Sequence, residues 1–210
     1  MFTANTVFVV DDDPAVRDSL KYLIESAGHR VEAFENARSM IDRVRVPAGR
    51  PVSGCLVADV RLPGMSGLDM FDRLQEMDAQ LPTVVITGHG DVTAAVRAMK
   101  AGAVDFIEKP FTDQALLDRI NTALEINSVN RTAAEEVAKV EKRHDMLTPR
   151  ERQVMAAVVD GRLNKQIAAD LGLSHKTIEV HRAHVMEKMA ARSLAELVRM
   201  AVLLEQKCAA

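Results

Sequence analysis

Five short apolar runs, separated by longer stretches with helical periodicity, constrain what the first part of this chain can fold into. Each run has four residues, and most are rich in Val and Ile, which is typical of the buried strands of a parallel sheet. The runs are residues 7–10, 31–34, 55–58, 83–86 and 104–107. The helical stretches lie near 14–27, 36–44, 67–78, 91–101 and 112–126. This alternation predicts an α/β fold, a (βα)5 parallel sheet with helices on both faces.

The chain changes character after residue 126. Residues 127–146 are polar and charged, and we interpret them as a linker between a domain at 5–126 and a domain at 147–207. Apolar residues at helical spacing predict a helix over at least 132–143. Such a linker either couples the two domains or acts only as a tether.

Residues 147–207 contain no strand pattern and predict a small all-α domain of four helices. These helices lie at about 149–160, 164–171, 175–190 and 193–206. The first begins at Thr148-Pro149-Arg150-Glu151, where an N-cap, a first-turn proline and a capping-box glutamate follow one another.

Composition and charge exclude several classes of protein. Aromatic residues are 3% of the 210, with no Trp, so the chain lacks the stacking surfaces of single-strand nucleic-acid platforms. Residues 1–127 hold 13 Lys and Arg against 19 Asp and Glu, whereas residues 145–210 hold 10 against 8. We therefore expect an acidic first domain and a mildly basic second one.

The sequence also predicts the cellular compartment in which the protein is found. No Lys or Arg precedes Arg17, so no signal peptide is expected, and no apolar run approaches the roughly 18 residues of a membrane span. Cys55 and Cys208 stand 153 positions apart without metal-ligand spacing, which favours a reducing environment. A cytoplasmic protein with no membrane partner is expected.

Polar side chains follow four of the five apolar runs. They are Asp11, Asp12 and Asp13 after the first run, Asp59 after the third, Thr87 after the fourth and Lys109 after the fifth. Because parallel strands end at one edge of a sheet, these groups should meet there. Converging carboxylates need a divalent cation, and oxygen ligands favour Mg²⁺. A Lys and a Thr beside such a site suit a phosphoryl group, which should be transferred to a carboxylate from another donor.

The motifs around these residues resemble the receiver domain of two-component response regulators. The motifs are Val9-Val10-Asp11-Asp12-Asp13-Pro14, Asp59-Val60-Arg61-Leu62-Pro63-Gly64-Met65-Ser66-Gly67, Ile86-Thr87-Gly88 and Phe106-Ile107-Glu108-Lys109-Pro110-Phe111. The resemblance covers residues 5–126 and implies the flavodoxin-like strand order 2-1-3-4-5. It also implies that a sensor histidine kinase phosphorylates Asp59.

The same resemblance implies roles for the other residues of the site. The implied ligands of Mg²⁺ are Asp11, acting mainly through a water molecule, Asp12, Asp59 and the main-chain carbonyl of Arg61. Lys109 would pair with the phosphoryl oxygens, and Thr87 and Phe106 would form a switch pair. The Lys109-Pro110 bond resembles the cis peptide of the family, since cis bonds are nearly confined to proline.

Residues 163–182 have the pattern of a helix-turn-helix, in which Gly172 turns the chain and Ser174 caps the second helix. An ordinary helical hairpin has a similar apolar pattern. Basic residues on and beside the second helix favour DNA binding, because phosphates are contacted there. The residues predicted to contact DNA are Lys165, Ser174, Lys176, Thr177, Val180, His181, Arg182 and His184.

Residues 147–204 closely resemble the four-helix DNA-binding domain of LuxR-type regulators. A receiver followed by this domain defines the NarL/FixJ class, and the sequence of 177–189 is most similar to the FixJ branch. Glu179 and Ala183 stand where some NarL-branch relatives have Lys, and a Glu accepts hydrogen bonds from the amino group of cytosine.

The combined resemblance implies a phosphorylation-activated transcription regulator. Its implied partners are the histidine kinase, double-stranded promoter DNA, RNA polymerase and, when phosphorylated, a second copy of the chain. The candidate dimer contacts on the last helix are Leu194, Leu197 and Val198.

Two alternatives belong to other functional classes. A Mg²⁺-dependent phosphatase of the aspartyl-phosphate type also has an Asp nucleophile after a strand, but it would normally place an acidic residue where this chain has Arg61. A signalling protein without DNA binding is disfavoured by the helix-turn-helix. We therefore expect no enzyme activity beyond self-phosphorylation and slow self-dephosphorylation at Asp59.

Overall fold

The computed structural model describes residues 6–45, 52–77, 79, 81–88 and 92–208. The strands are β1 (Thr6–Val10), β2 (Arg30–Phe34), β3 (Gly54–Asp59), β4 (Thr83–Thr87) and β5 (Asp105–Glu108). They alternate with α1 (Pro14–Ser26), α2 (Ala37–Arg45), α3 (Gly67–Glu76), α4 (Val92–Lys100) and α5 (Asp113–Asp145). Residues 5, 78 and 91, at the ends of predicted segments, lie outside the described residues.

The five strands form one parallel sheet in the order β2-β1-β3-β4-β5. This order confirms the predicted (βα)5 fold and places β2 at an edge. β5 begins and ends one residue later than the apolar run at 104–107 that predicts it.

Burial of both sheet faces explains the continuous apolar runs. Every residue of β1, β3 and β4 is buried. Because side chains alternate along a strand, Val7 and Val9 pack with Ile120 of α5 on one face. Phe8 packs with Met70 of α3 on the other. The strand ends, which carry the polar residues, are therefore firmly positioned.

Helix α5 continues well beyond residue 126. It ends at Asp145 and includes the segment 132–143, for which the sequence predicts a helix. The chain divides into two compact units, residues 1–131 and 132–210. Ile120 of α5 belongs to the core of the first unit, and Val140 belongs to the core of the second.

The second unit also contains α6 (Pro149–Val159), α7 (Asn164–Leu171), α8 (His175–Met189) and α9 (Leu194–Cys208). The Thr148 side chain accepts a hydrogen bond from Glu151 N–H, and the Glu151 side chain accepts one from Thr148 N–H, which completes the capping box. Ile167 and Ile178 are fully buried in its core. Among the helices of the described segments, none is both long and apolar enough to cross a membrane.

Candidate functional site

The ammonium group of Lys109 joins the carboxylates of Asp11 and Asp59 at the carboxyl edge of the sheet. Lys109 Nζ lies 3.2 Å from Asp11 Oδ2 and also donates a hydrogen bond to Asp59 Oδ2. Both carboxylates are buried, with Asp11 1% and Asp59 7% exposed. The sheet order explains the meeting, because β3 ends at Asp59 and its neighbour β1 ends one residue before Asp11.

Burial and the neighbouring charges have opposite effects on the pKa values of Asp11 and Lys109 in this pocket. Burial raises the pKa of the Asp11 carboxyl, although hydrogen bonds from Asp13 N–H and Lys109 oppose the shift. Burial would lower the pKa of the Lys109 ammonium, but the hydrogen bonds and charges of Asp59 and Asp11 outweigh it and raise that pKa. The ammonium therefore stays charged, and one fixed cation faces two carboxylates.

The turn between β1 and α1 is held by Asp13 and Arg17. Asp13 Oδ1 accepts a hydrogen bond of 2.8 Å from Ala15 N–H and so caps α1. Arg17 Nη1 donates to the main-chain oxygens of Asp11, at 2.8 Å, and Asp12, at 3.0 Å. The side chain of Asp12 is exposed beside the buried pocket.

The segment after β3 fixes the Asp59 carboxylate from its other side. Arg61 N–H donates to Asp59 Oδ1 at 2.8 Å. The start of α3 lies very close to this strand end, because a Cβ atom on Gly67 would stand 2.0 Å from the main-chain oxygen of Asp59. Only glycine allows this approach, which explains why the residue at position 67 is a glycine. Ser66, just before it, is the N-cap of α3.

Thr87 and Phe106 line a cavity of about 380 Å³ beside the pocket. Thr87 is buried and its hydroxyl donates to Gly88 O at 3.3 Å, whereas Phe106 is 37% exposed. Val96 and Met99 of α4 form the apolar part of the lining. The Lys109-Pro110 peptide bond is cis, as the family resemblance implies.

The donor set fits Mg²⁺ in kind. It consists of carboxylate and main-chain oxygens, the ligands that Mg²⁺ prefers, and it carries more negative charge than Lys109 neutralises. Within the described ranges, no three side chains of Asp, Glu, His or Cys lie close enough together to hold a metal ion by themselves. The hydrogen bonds of Lys109 therefore unite Asp11 with Asp59, whereas the Asp12 side chain is exposed to solvent.

Helices α7 and α8 form a two-helix unit with a tight turn. Gly172 ends α7 in the left-handed conformation, with φ of 64°, and Ser174 then caps α8 by accepting a hydrogen bond of 3.1 Å from Thr177 N–H. Ile167 of α7 and Ile178 of α8 are fully buried. The first turns of α8 present their opposite face to solvent, as a helix that enters the DNA major groove must do.

Comparisons with known proteins match both units. The model of the response regulator receiver domain matches residues 7–121, and the luxR family of bacterial regulatory proteins matches residues 145–201. The chain is 48% identical over 198 residues to nodulation protein W of Bradyrhizobium diazoefficiens, covering 94% of this chain and 86% of that protein. The transcriptional regulatory protein FixJ of Azorhizobium caulinodans is also 48% identical, with 94% and 92% covered.

Solved structures of response regulators also match this chain over nearly its whole length. The response regulator StyR superposes with a TM-score of 0.82 at 45% identity, covering 95% of this chain and 98% of that one. Full-length FixJ from B. japonicum gives a TM-score of 0.58 at 42% identity, with 96% and 98% covered.

This chain is a two-component response regulator of the NarL/FixJ class. Its first unit is a CheY-like receiver, its second unit carries a LuxR-type DNA-binding domain, and it is a phosphorylation-dependent transcription regulator.

Five of the eight residues predicted to contact DNA are exposed on the helix-turn-helix of this regulator: Lys165, Ser174, Lys176, Val180 and His184. Lys165 lies in α7, and Lys176 and Val180 lie on the open face of α8. Val180 is 46% exposed although its side chain is apolar. Lys165, Lys176 and Val180 are therefore free to reach phosphates or base edges.

Four of the predicted DNA contacts have structural roles in the described chain. Ser174 and Thr177 form the cap of α8, with their hydroxyls 2.8 Å apart. Arg182 Nη1 donates to Asn164 Oδ1 at 2.7 Å and so links α8 to the start of α7. His184 Nδ1 lies 3.6 Å from the Glu151 carboxylate.

His181 is half-buried in α8 rather than open to solvent. Its Nδ1 atom is buried and has no hydrogen-bond partner among the described residues. Any contact of His181 with DNA would therefore use the other nitrogen of its ring.

The candidate dimer contacts on α9 divide into two groups. Leu194 is 47% exposed and Val198 is half-buried, so both are accessible. Leu197 is 1% exposed because it packs in the core of the DNA-binding domain. Its inclusion as a dimer contact is wrong, and the accessible apolar face of α9 is completed by Val202 instead.

The sequence does not reveal the ion pair that holds α8. The Glu151 carboxylate is buried and accepts hydrogen bonds from Lys188 Nζ at 2.6 Å and Thr148 N–H at 2.8 Å. The bond from Lys188 is the main cause that lowers the pKa of Glu151 to about 2. The capping box marks Glu151 as a cap, but no local pattern points to a partner 37 residues away.

Proposed function

We propose that this regulator accepts a phosphoryl group on Asp59 from a sensor histidine kinase. The observation that carries the proposal is the buried contact of Lys109 with Asp59 and Asp11 at the end of three strands. A buried carboxylate beside a fixed ammonium is suited to receive a group with three anionic oxygens.

The transfer needs little from the protein beyond position and charge. An Asp59 carboxylate oxygen forms a bond to phosphorus as the bond between phosphorus and the kinase histidine nitrogen breaks, and the electron pair of that bond returns to the imidazole. Lys109 then pairs with a phosphoryl oxygen. Mg²⁺, when held by Asp11, Asp12, Asp59 and the Arg61 carbonyl, supplies further neutralisation of the phosphoryl charge. Asp59 is consumed stoichiometrically, so the regulator acts on itself and on no other substrate.

The phosphoryl group then changes the face formed by α4 and β5. It adds about −1.5 to −2 charges and three acceptor oxygens. The Thr87 hydroxyl, which donates a 3.3 Å hydrogen bond to the neighbouring Gly88 oxygen, is drawn to a phosphoryl oxygen. Phe106 leaves solvent and fills the cavity that it lines with Thr87. This change favours a dimer by population shift.

The phosphorylated dimer binds promoter DNA in the cytoplasm and acts on RNA polymerase. Lys165 and Lys176 contact phosphates, and the exposed face of α8 around Val180 reads the major groove. Leu194 and Val198 of α9 supply the contact between the two DNA-binding domains. The names of the relatives, which include the response regulator protein TmoT of Ectopseudomonas mendocina, support a regulatory role of this kind.

Acetyl phosphate and Mg²⁺ provide the test. Intact-mass spectrometry of the full chain should show one added phosphoryl group, and Asp59→Asn should show none. Asp18→Asn, on the exposed face of α1, is the matched control and should label normally. Chromatin immunoprecipitation with the wild type and Asp59→Asn should recover promoters only when Asp59 is present. Full labelling of Asp59→Asn would refute the proposal.

A further inference from the structure

Asn127 is a buried polar residue in the long helix α5. It is 4% exposed, although Ile126 and Val129 beside it are 37% and 68% exposed. None of the described residues from 128 to 139 is buried, and the next buried position of α5 is Val140, in the core of the second unit. Asn127 is therefore the last buried residue that α5 contributes to the receiver.

The Asn127 amide makes three hydrogen bonds to the start of β3. The amide is oriented so that both of its ends are paired. In this orientation its oxygen accepts from Gly54 N–H at 3.2 Å and from the Ser53 hydroxyl at 3.1 Å, and its nitrogen donates to Gly54 O at 3.2 Å. The side chain thus pairs with both backbone groups of Gly54, as the peptide group of a neighbouring strand would.

The end of β4 explains why Gly54 needs this partner. Pairing between β3 and β4 begins at Leu56 and Thr83, and Leu56 N–H donates to Pro82 O at 3.0 Å. In a parallel sheet, residues two apart direct their backbone groups to the same neighbour. Gly54 therefore faces the β4 side two residues before the pairing of β3 with β4 begins, and Asn127 supplies partners for both of its buried backbone groups.

We propose that Asn127 is a positioning residue that couples phosphorylation of Asp59 to DNA binding; the inference rests on the proposed function. Asn127 fixes α5, where this helix leaves the receiver, to the first residue of the strand that ends at Asp59. The stretch from 128 to 139, in which no residue is buried, has about the length at which an isolated helix is marginal in water. Its order therefore depends strongly on the buried contacts at its two ends, which are those of Asn127 and Val140.

Amide hydrogen exchange tests the geometry in the full chain. Asn127→Ala should speed exchange of the Gly54 amide by roughly tenfold, since that amide loses the Asn127 oxygen that accepts its hydrogen bond. Asn121→Ala replaces an exposed residue of the same type on the same helix and should leave Gly54 unchanged. Unchanged protection of Gly54 in Asn127→Ala would overturn the inference.

The coupling is measured as the ratio of DNA affinities with and without acetyl phosphate. The probe is a duplex selected from a random library by the phosphorylated wild type. Asn127→Ala should take up one phosphoryl group normally, yet its affinity ratio should fall at least threefold, whereas Asn121→Ala should retain the wild-type ratio. A wild-type ratio in Asn127→Ala, with faster Gly54 exchange, would show a purely structural role and overturn the inference.

Two further outcomes separate the inference from the proposed function. If Asn127→Ala does not fold, Ser53→Ala removes one of the three hydrogen bonds and should lower the ratio partially; an unchanged ratio there, with faster Gly54 exchange, overturns the inference. If the wild type itself gains no DNA affinity on phosphorylation, the proposed function fails, and the inference fails with it.

Discussion

Lys188 Nζ lies 2.6 Å from the buried carboxylate of Glu151. Through this contact α8, which carries exposed residues that we propose to contact DNA, is held to α6. The same carboxylate accepts a hydrogen bond from Thr148 N–H, and His184 Nδ1 lies 3.6 Å from its other oxygen. The position of α8 therefore depends on an ionised Glu151.

The DNA-binding domain should lose stability in acid through Glu151. Its pKa is about 2 in the folded chain against an ordinary value of 4.5, so its contribution is fully present above pH 4.5. That contribution is lost as the pH falls from 4.5 towards 2, because the unfolded chain binds the proton more readily. Glu151→Gln should lower the melting temperature at pH 6, and the difference from the wild type should vanish near pH 2.

Circular dichroism melts of the full chain at several pH values measure this effect. Glu187→Gln, on the exposed face of α8, is the control and should melt as the wild type does. A Glu151→Gln deficit that stays constant from pH 6 to pH 2 would contradict the assignment to ionised Glu151.

Arg17 should support metal binding through the backbone. Its guanidinium holds the main-chain oxygens of Asp11 and Asp12, so Arg17→Ala frees the turn that presents both carboxylates. Losing a hydrogen bond from a charged donor costs about 1.5–3 kcal/mol, which predicts Mg²⁺ binding weakened by about tenfold or more. Titration calorimetry with Mg²⁺ measures it. Arg38→Ala, with a side chain that is 90% exposed, should bind Mg²⁺ normally, and equal affinities of the two variants would exclude this role.

Thr87 should be needed for activation and not for phosphorylation. Thr87→Val keeps the shape of the buried side chain but removes the hydroxyl that would follow the phosphoryl group. Uptake from acetyl phosphate should be normal, whereas the gain in DNA affinity on phosphorylation should fall about tenfold, the value of one hydrogen bond to a charged acceptor. Thr122→Val, on the exposed face of α5, should respond fully. A full response of Thr87→Val would argue against the switch.

Much of the receiver site could be predicted because its residues stand next to strand ends. Asp11, Asp59 and Lys109 follow apolar runs, and parallel strands bring their carboxyl ends to one edge. Arg17 and Gly67 could not be assigned roles in the same way. Arg17 contributes through hydrogen bonds from its side chain to the backbone, and Gly67 contributes because it has no Cβ atom. Neither contribution produces a pattern that can be recognised in the sequence.

The helical domain was harder to predict because burial on a short helix depends on its neighbours. Leu194, Leu197 and Val198 share one stripe in the sequence, and only the packing of α9 separates the buried Leu197 from the exposed Leu194. Likewise, the positive charge of Arg182 suggests a contact with a DNA phosphate. In the structure, however, Asn164 lies close enough to accept its hydrogen bond within the domain.

Leu194 and Leu197 should therefore respond differently to the same substitution. Leu197→Ser creates a cavity and buries a hydroxyl, and should destabilise the DNA-binding domain by about 3 kcal/mol or more. Leu194→Ser should change stability by less than about 0.5 kcal/mol, as exposed substitutions do. It should nevertheless weaken cooperative binding to paired half-sites. Urea denaturation and footprinting measure the two effects, and cooperative binding by Leu194→Ser at the wild-type level would remove α9 from the dimer contact.

Lys176 and Glu179 should separate affinity from sequence preference on α8. Both side chains are exposed, and Glu179 lies one turn after His175, whose Nδ1 is 3.6 Å from its carboxylate. Lys176→Ala removes the proposed phosphate contact, so binding should weaken equally on all duplexes and the salt slope should fall by about 1.

Glu179→Gln should instead change which sequences are preferred. A carboxylate facing a phosphate is repelled, so Glu179 can be accommodated in the groove only beside a donor such as the cytosine amino group. The amide keeps the shape but also donates, and it pairs well with adenine, so discrimination at one base pair should change by about 1–3 kcal/mol. Selection from a random duplex library with each phosphorylated variant shows the difference. Identical preferred sequences for the wild type and Glu179→Gln would place the reading face elsewhere on α8.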